Sequence, residues 1–508
     1  KYITGATTLN NIGLINVLDG TQWYLSNSVI NNMTDGIIDF QSNNSGITYS
    51  GSSSHIINNY GLIKKTTTEG TTSFIAQLIN HNGTIQVETG TLTLNNANTT
   101  LDSGTYNVSE DGSLNWNSTV FMTGTLTGEL TGGINWNGNV SVAEDTTATF
   151  NFTGANAVRW TAGSLVGGGT LENLSKINLT TATAKYITGA TTLNNIGLIN
   201  VLDGTQWYLS NSVINNMTDG IIDFQSSNSG ITYSGSSSHI INNYGLIKKT
   251  TAEGTTTISV TANNSGEMRV LSGTLRFTGS FNNQQDGIIT GNATLQLPSS
   301  AFTNSGTFSP GVNAPATLSV LGNYTSTENT VLEIDINGLT QGTDYDLLSI
   351  QGNAVMIGNV VVNLGFDAAI NDEFIVSTIT GTITQCELNP VAVSEFNGYT
   401  YTFDVECVNN NSVILRVTNK TLGIEELIGN SLKVYPNPVT DILQIDNRSS
   451  VQIVSITIFD ISGRKLTSFE TTDNFGYQLN LTELNAGQYL MKLNFDGGQV
   501  LTKKLLKK

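Results

Sequence analysis

The sequence predicts an all-β protein: a parallel β-helix (a solenoid), a C-terminal β cap, and a small C-terminal β-sandwich. Three observations predict it. Residues 1–72 recur at 185–256 with two differences, Asn43 against Ser227 and Thr68 against Ala252. Within and just beyond each copy a glycine recurs, at Gly13, Gly36, Gly61, Gly83 and Gly104, and again at Gly197, Gly220, Gly245, Gly266, Gly287 and Gly306. A spacing of roughly 20 or more residues, held over many repeats, belongs to solenoids and arrays. After each glycine the second and fourth residues are mostly apolar, as in Ile15/Val17, Ile38/Phe40, Ile85/Val87, Tyr106/Val108, Ile199/Val201, Ile222/Phe224 and Met268/Val270. That alternation marks a strand with one buried face.

Residues 1–310 are therefore read as β-helix repeats. About 13 rungs at one strand spacing each give a rod of roughly 60 Å. Lys1 of the first copy corresponds to Lys185 of the second. That offset equals eight even periods of about 23 residues, which suggests that a whole number of coils was copied. Asn16, Asp39, Gln86, Asn107 and Arg269 alternate with the apolar positions and are expected to face water. Lys65 and Lys249 occupy an inward slot, so either that rung bends or the lysine stem snorkels outward. Asparagines precede the corner glycines, as in Asn10-Asn11-Ile12-Gly13 and Asn58-Asn59-Tyr60-Gly61. Both residue types tolerate left-handed backbone at a sharp corner, and stacked amides can bond in a ladder. The glycine-asparagine corners and Thr/Ser/Asn-rich surface resemble the filamentous-haemagglutinin-type β-helices of bacterial surface proteins.

Residues 311–420 change in texture and form the expected cap, since a solenoid's last rung exposes strand edges that invite aggregation. Ser309-Pro310-Gly311, Leu318-Ser319-Val320-Leu321-Gly322-Asn323-Tyr324 and Asp346-Leu347-Leu348-Ser349-Ile350-Gln351-Gly352 resemble the end of autotransporter passenger domains. Further rungs are expected here, then a small antiparallel sheet from residues 398–406 and 412–418. Cys386 and Cys407 lie 21 positions apart. In an oxidising compartment they close a loop worth about 3 kcal/mol; the alternative is two unpaired core thiols.

Residues 421–430 read as a linker and 431–508 as a separate module. Pro436 and Pro438 refuse a central strand, and Asp460 to Gly463 is turn chemistry between two alternating runs. Tyr435-Pro436-Asn437-Pro438, Asp460-Ile461-Ser462-Gly463-Arg464, Leu484-Asn485-Ala486-Gly487-Gln488-Tyr489 and the basic end Lys503 to Lys508 closely resemble the type A C-terminal sorting domain of type IX secretion. The resemblance implies passage through the outer membrane by that machinery. It also implies removal of the tail by its sortase at the surface, and attachment to lipopolysaccharide or release. Its sorting-motif positions are Tyr435, Pro436, Asn437, Pro438, Asp460, Gly463, Arg464, Asn485, Gly487 and Tyr489.

Charge sets the remaining bounds. The chain of 508 residues carries −18 at pH 7; residues 431–508 contribute +2, from 9 Lys+Arg and 7 Asp+Glu, leaving −20 elsewhere. So acidic a chain repels nucleic acid, which is not an expected partner. The start within a repeat suggests a C-terminal piece of a longer exported protein. With three histidines, two of them copies (His55 and His239), no nucleophile-His-acid constellation is read. Asp19, Asp35 and Asp39 recur as Asp203, Asp219 and Asp223 and read as turn or surface carboxylates. No catalytic, metal or cofactor site is assigned. Trp23 and Trp207 are candidate carbohydrate platforms or interior fillers. The expected role is a secreted, cell-surface β-helical adhesin or structural protein with glycan or host-surface ligands; the alternative is a carbohydrate-active enzyme or binding protein on the same scaffold.

Overall fold

The computed structural model describes all residues except 19, 52–54, 67–68, 236–238, 252, 300–301, 423–430, 449–450, 471–475 and 497–499. The proposed linker, 421–430, thus lies almost wholly outside the described residues. The chain divides into two compact units. One comprises residues 1–361, 374–390 and 405–414; the other comprises 362–373, 391–404 and 415–508.

The first unit is a β-solenoid of about 14 turns, with no helix among the described residues. Most turns contribute a short strand to each of three parallel stacks, begun by Tyr2–Thr4, Thr8–Asn11 and Leu14–Val17, while Thr99–Val108 and Val120–Glu129 run unbroken through the second and third. Strands this short form because Thr, Asn and Ser suit turns and edges, while single Ile, Val and Leu residues supply the inward face. Val17, Ile38, Phe40, Ile85 and Val87 are buried in one core. Ile15 is only half-buried, because its strand pairs on one side; its copy Ile199, paired on both, is fully buried. Parallel pairing continues past residue 310, through Thr317–Leu321, Leu347–Gln351 and Glu373–Ile379. Within this unit Cys386 is bonded to Cys407, with Cα atoms 6.5 Å apart.

The interior is organised by asparagine. Asn11 donates to Asn32 (2.8 Å), Asn32 to Asn59 (2.8 Å) and Asn59 to Asn80 (2.7 Å); Asn80 ends the chain on the Tyr106 hydroxyl (2.9 Å). A second ladder runs from Asn173 through Asn195, Asn216, Asn243, Asn264, Asn283 and Asn304 to the hydroxyl of Tyr324. Every member is buried. Burial pushes both terminal phenols well above their usual range, so each stays a neutral hydroxyl that accepts the last amide. An outer ladder, Asn194, Asn215, Asn242, Asn263 and Asn282, runs beside the second with the opposite donor direction.

At several corners the ladder, rather than left-handed backbone, explains the glycine. Gly36, Gly61, Gly220 and Gly245 do not have positive φ. A Cβ on Gly36 would lie 2.5 Å from both the Asn11 carbonyl oxygen and Asn32 Oδ1, and one on Gly245 would collide with the Met217 carbonyl. Left-handed backbone serves the corners at Asn82-Gly83 and Ser103-Gly104, and falls away from the corner glycines at Asn27 and Asn44 and their copies Asn211 and Asn228.

Three other expectations are corrected. Lys65 and Lys249 point inward and are fully buried, with Nζ donating to the carbonyls of Ser42 (3.3 Å) and Ser226 (3.4 Å). Burial lowers both pKa values. Asp39 is on the outer face but buried, because Lys64 and Gln41 close over it and Thr66 donates to its Oδ1. The cassette does not span a whole number of turns. The stack from Gln22 passes Gly46, Ser73, Thr93, Asn115, Asn135, Arg159 and Asn178 and reaches Asn200 after eight turns. The copy of Gln22 is Gln206, which lies beyond Asn200 and one sheet on. The second copy is therefore turned by one face.

The change of face occurs between Tyr106 and Asn173, where the ladder is absent. Trp116, Trp136 and Trp160 fill this stretch in register, the last two stacked 4.0 Å apart with Phe150 edge-on to Trp136. Large rings replace hydrogen bonds as the filler.

In the second unit, the tail forms two antiparallel sheets. Leu432–Tyr435, Ile442–Asn447 and Gly476–Asn480 make one; Ile453–Asp460, Lys465–Glu470, Gly487–Phe495 and Val500–Lys507 make the other. A core of Leu443, Ile445, Ile456, Ile458, Met491, Leu493 and Leu505 lies between them.

Asn216 accepts from Asn195 and donates to Asn243 and to the carbonyls of Gly220 and Leu246. Asn216→Leu strands these groups in an apolar interior and should cost about 2–4 kcal/mol. Asn215→Ala, on the outer ladder, should cost about 1 kcal/mol or less. Urea denaturation of both variants checks the difference. Asp346 gives a pH dependence. It is fully buried and accepts from the backbone N–H groups of Ala316 (2.7 Å) and Asp335 (2.8 Å). Burial, with Asp335 and Glu333 nearby, raises its pKa from 3.8 to about 7. A carboxyl that holds its proton more tightly when folded stabilises below its unfolded pKa and loses that contribution as pH rises through about 7. The wild type should therefore lose more stability between pH 5 and pH 8 than Asp346→Asn, read from urea midpoints at the two pH values.

Candidate functional site

The sorting-motif residues of the tail fall into two clusters that meet on its last strand. In the first, the peptide bonds Tyr435-Pro436 and Asn437-Pro438 are both cis. The side chain of Asn437 takes the place of a strand neighbour. Its Nδ2 donates to the Lys504 carbonyl and its Oδ1 accepts from the Leu506 N–H, both at 2.8 Å. The two prolines cannot donate to a ladder, so the amide between them satisfies the edge of the final strand. Val439 continues the pairing, accepting from the Lys508 N–H and donating to the Leu506 carbonyl. Around this joint lies a shallow groove lined by Leu432, Lys433, Val434, Tyr435, Asn437, Lys503 and Lys504. Three lysines make it basic, and Tyr435 is half exposed beside them.

The second cluster is the hairpin after Ile453–Asp460. Asp460 Oδ1 accepts from the Ser462 N–H (3.0 Å), the Ser462 hydroxyl (2.6 Å) and the Arg464 N–H (3.0 Å), and Oδ2 accepts from Arg464 Nε (3.0 Å). These bonds, led by the Ser462 hydroxyl, hold the Asp460 carboxyl down at about 2. Gly463 takes the left-handed conformation the turn requires, φ +84°. Asp460 pairs in register with Tyr489, whose hydroxyl donates to the Asn485 carbonyl at 2.8 Å. Gly487 pairs with Lys507, and Lys507 bridges to Val439 on its other side. The two motif clusters are thus joined through the C-terminal strand. Lys433 is the groove lysine that the sequence did not single out; on its own strand it reads only as an alternating surface position.

The other sequence-predicted candidates do not assemble into a site. Trp23 and Trp207 point into the solenoid core and are buried, so neither offers a face to a sugar; Trp207 packs edge-on against Trp160. Asp39 and its copy Asp223 are saturated: Asp223 holds Lys248 (3.2 Å), Gln225 (2.9 Å) and Thr250 (2.7 Å), the same partners in the same places as around Asp39. A buried carboxylate so fully bonded serves structure and has no oxygen free to take a substrate proton. Asp19 is outside the described residues.

In the tail, Asp460 should keep its turn intact from neutral pH down to about pH 3. Its contribution is complete above the ordinary carboxylate value of 3.8 and fades only as pH falls toward about 2. Asp460→Ala should speed amide hydrogen exchange at Ser462 and Arg464 in the full chain, leaving the sheet core protected. Unchanged exchange there would show that the turn does not depend on this carboxylate.

No curated protein matches the sequence. Residues 433–508 match the family model described as the secretion system C-terminal sorting domain. The matched segment contains both motif clusters and the basic final strand. The chain is therefore a substrate of type IX secretion, with a β-solenoid upstream of its C-terminal sorting domain.

Proposed function

We propose that this exported chain is a surface-attached adhesin or surface-structural protein whose solenoid is the working part. The observation that carries the reading is the duplicated cassette. It repeats the same outward side chains eight turns and one face apart, which serves multivalent contact and adds nothing to a single catalytic centre. The saturated aspartates and the scarcity of histidine argue in the same direction. In this reading the machinery recognises the tail, a sortase removes it at the surface, and the rod is attached to lipopolysaccharide or released. Host or neighbouring-cell glycans are the ligands that a Thr-, Asn- and Tyr-bearing surface suits.

A carbohydrate-binding role for the solenoid is the second reading, and one feature favours it. A polar cleft on the second sheet is lined by Gln206, Tyr208, Asn228, Ser229, Thr232, Thr255, Thr257, Ser259 and Arg276. The two readings are compatible, since binding glycans is one way to adhere.

Deleting residues 431–508 in a type IX-competent bacterium should leave the solenoid folded and protease-resistant but held in the periplasm. Surface proteolysis and fractionation check this. Cells that display the full chain should settle on glycan-coated surfaces better than cells that export the tail without residues 1–420. Normal surface levels of the truncated chain would overturn the export role, and equal settlement would overturn the adhesive one.

A further inference from the structure

The cleft of the second copy differs from its counterpart in the first chiefly at Ser259, where the first has Ile75, and at Arg276, which carries the cleft's only charge. On the second sheet, Gln206, Gly230, Thr257, Arg276 and Gln296 stand in one register line on successive turns. Tyr186, Tyr208 and Thr232 form the adjacent line. Gly230 makes the dent: it has no side chain between Gln206 and Thr257, and a Cβ there would collide with the Thr257 carbonyl. Tyr186 stacks on Tyr208 from the preceding turn, centroids 5.1 Å apart. On the following turn stands Thr232, too short to cover the other face of the Tyr208 ring.

Arg276 closes the far end. Its Nε and Nη2 donate to Thr257 Oγ1 at 3.2 and 2.8 Å, which lays the guanidinium back across Thr257 toward the dent. It makes no ion pair among the described residues, and no carboxylate lines the cleft. From Tyr208 to Arg276 is three strand spacings, about 14 Å. The equivalent line in the first copy is Gln22, Gly46, Ser73 and Thr93, beside Tyr2 stacked on Tyr24. There Thr93 stands where Arg276 stands, and it bonds Ser73 at 3.0 Å. The first copy thus repeats the aromatic wall and the dent without the cation.

We propose that the cleft around Gly230 binds a glycan carrying one carboxylate, with a sugar ring against Tyr208, hydroxyls bonded by Gln206 and Thr232, and the carboxylate on Arg276. An aromatic wall with a few placed polar groups is the ordinary composition of a small-ligand site. A planar guanidinium with free N–H groups is suited to a carboxylate, which it takes in a bidentate pair. The strongly acidic chain disfavours a polyanion, so a single uronate-type sugar fits better than a densely charged polysaccharide. The first-copy cleft, lacking the arginine, has no preference for acid.

The inference rests on the glycan-binding form of the proposed function, and its test separates the two. Calorimetry on the full chain with a glucuronate-terminated trisaccharide should give one site per chain, about ten-fold tighter than for the glucose-terminated counterpart. Arg276→Gln should erase that preference while leaving the thermal unfolding midpoint unchanged, and Arg276→Lys should keep part of it. Tyr208→Ala should weaken both probes. Equal affinity for the two probes, two equivalent acidic sites per chain, an undiminished preference in Arg276→Gln, or no binding of either would overturn the proposal. Adhesion of displaying cells with no acid preference would leave the adhesive reading standing and sink this site alone. A measured preference with no adhesion would do the reverse.

Discussion

The buried asparagine ladder is the constraint on which the solenoid depends. A carboxamide in an apolar interior is costly unless both its donor and its acceptor are used. Stacking satisfies each amide through the next turn, so one asparagine obliges another at the same corner of the following coil. The obligation fixes where each turn closes, although the turns differ in length from 19 to 27 residues along the ladder. It also requires glycine just beyond the corner, because stacked carbonyls and amides occupy the space of a Cβ. Where a ladder stops, a hydroxyl must receive the last amide, and Tyr106 and Tyr324 do so. Between the two ladders the constraint is lifted and tryptophans fill the core, and only there does the chain change the face on which its corner lies.

That change gives the duplication its consequence. Copying a sequence copies residues, whereas display depends on faces. The second copy of the tyrosine pair lies on the second sheet, and the first lies on the first sheet. Two similar clefts therefore point to different sides of one rod. The arginine that distinguishes them is Arg276, which lies past Thr256, the last residue of the duplicated segment. The copied framework is shared while its flanking turn sets the charge, so a repeated surface can vary without disturbing the repeat. The tail follows different physics. Its motif residues do not build a reactive centre; they close the edge of a small sandwich and leave a basic groove beside the last strand.

Much of this was legible in the sequence because the signals are local. Alternation at Ile38/Phe40 and Ile85/Val87 gives the strands, and the Tyr-Pro-Asn-Pro, Asp-to-Arg464 and Asn485-to-Tyr489 runs give the tail. What escaped depends on stacking between distant residues. Asp39 reads as a surface residue until Lys64 is placed one turn above it. Lys65 reads as a misfit until the Ser42 carbonyl is found inside the coil. The rotation of the second copy is invisible to counting along the chain because turn lengths vary. The offset from Lys1 to Lys185 therefore resembles eight even periods and is eight turns and a face. Trp23 and Trp207 carry no local mark that separates an interior ring from an exposed one. The cleft gathers Tyr208, Gly230, Thr257 and Arg276 from four successive turns, and no motif joins them.

If the ladder sets the unit of the fold, the solenoid should tolerate loss of a turn but not of a fraction of one. Deleting residues 217–243 joins Asn216 to Tyr244-Gly245 and brings Asn216 onto Asn264, which preserves the ladder. Deleting residues 217–230 removes about half a turn and leaves the next amides out of line. Thermal unfolding followed by circular dichroism should show the full-turn deletion melting cooperatively near the parent temperature and the half-turn deletion losing that transition. Equal damage from the two deletions would contradict the account.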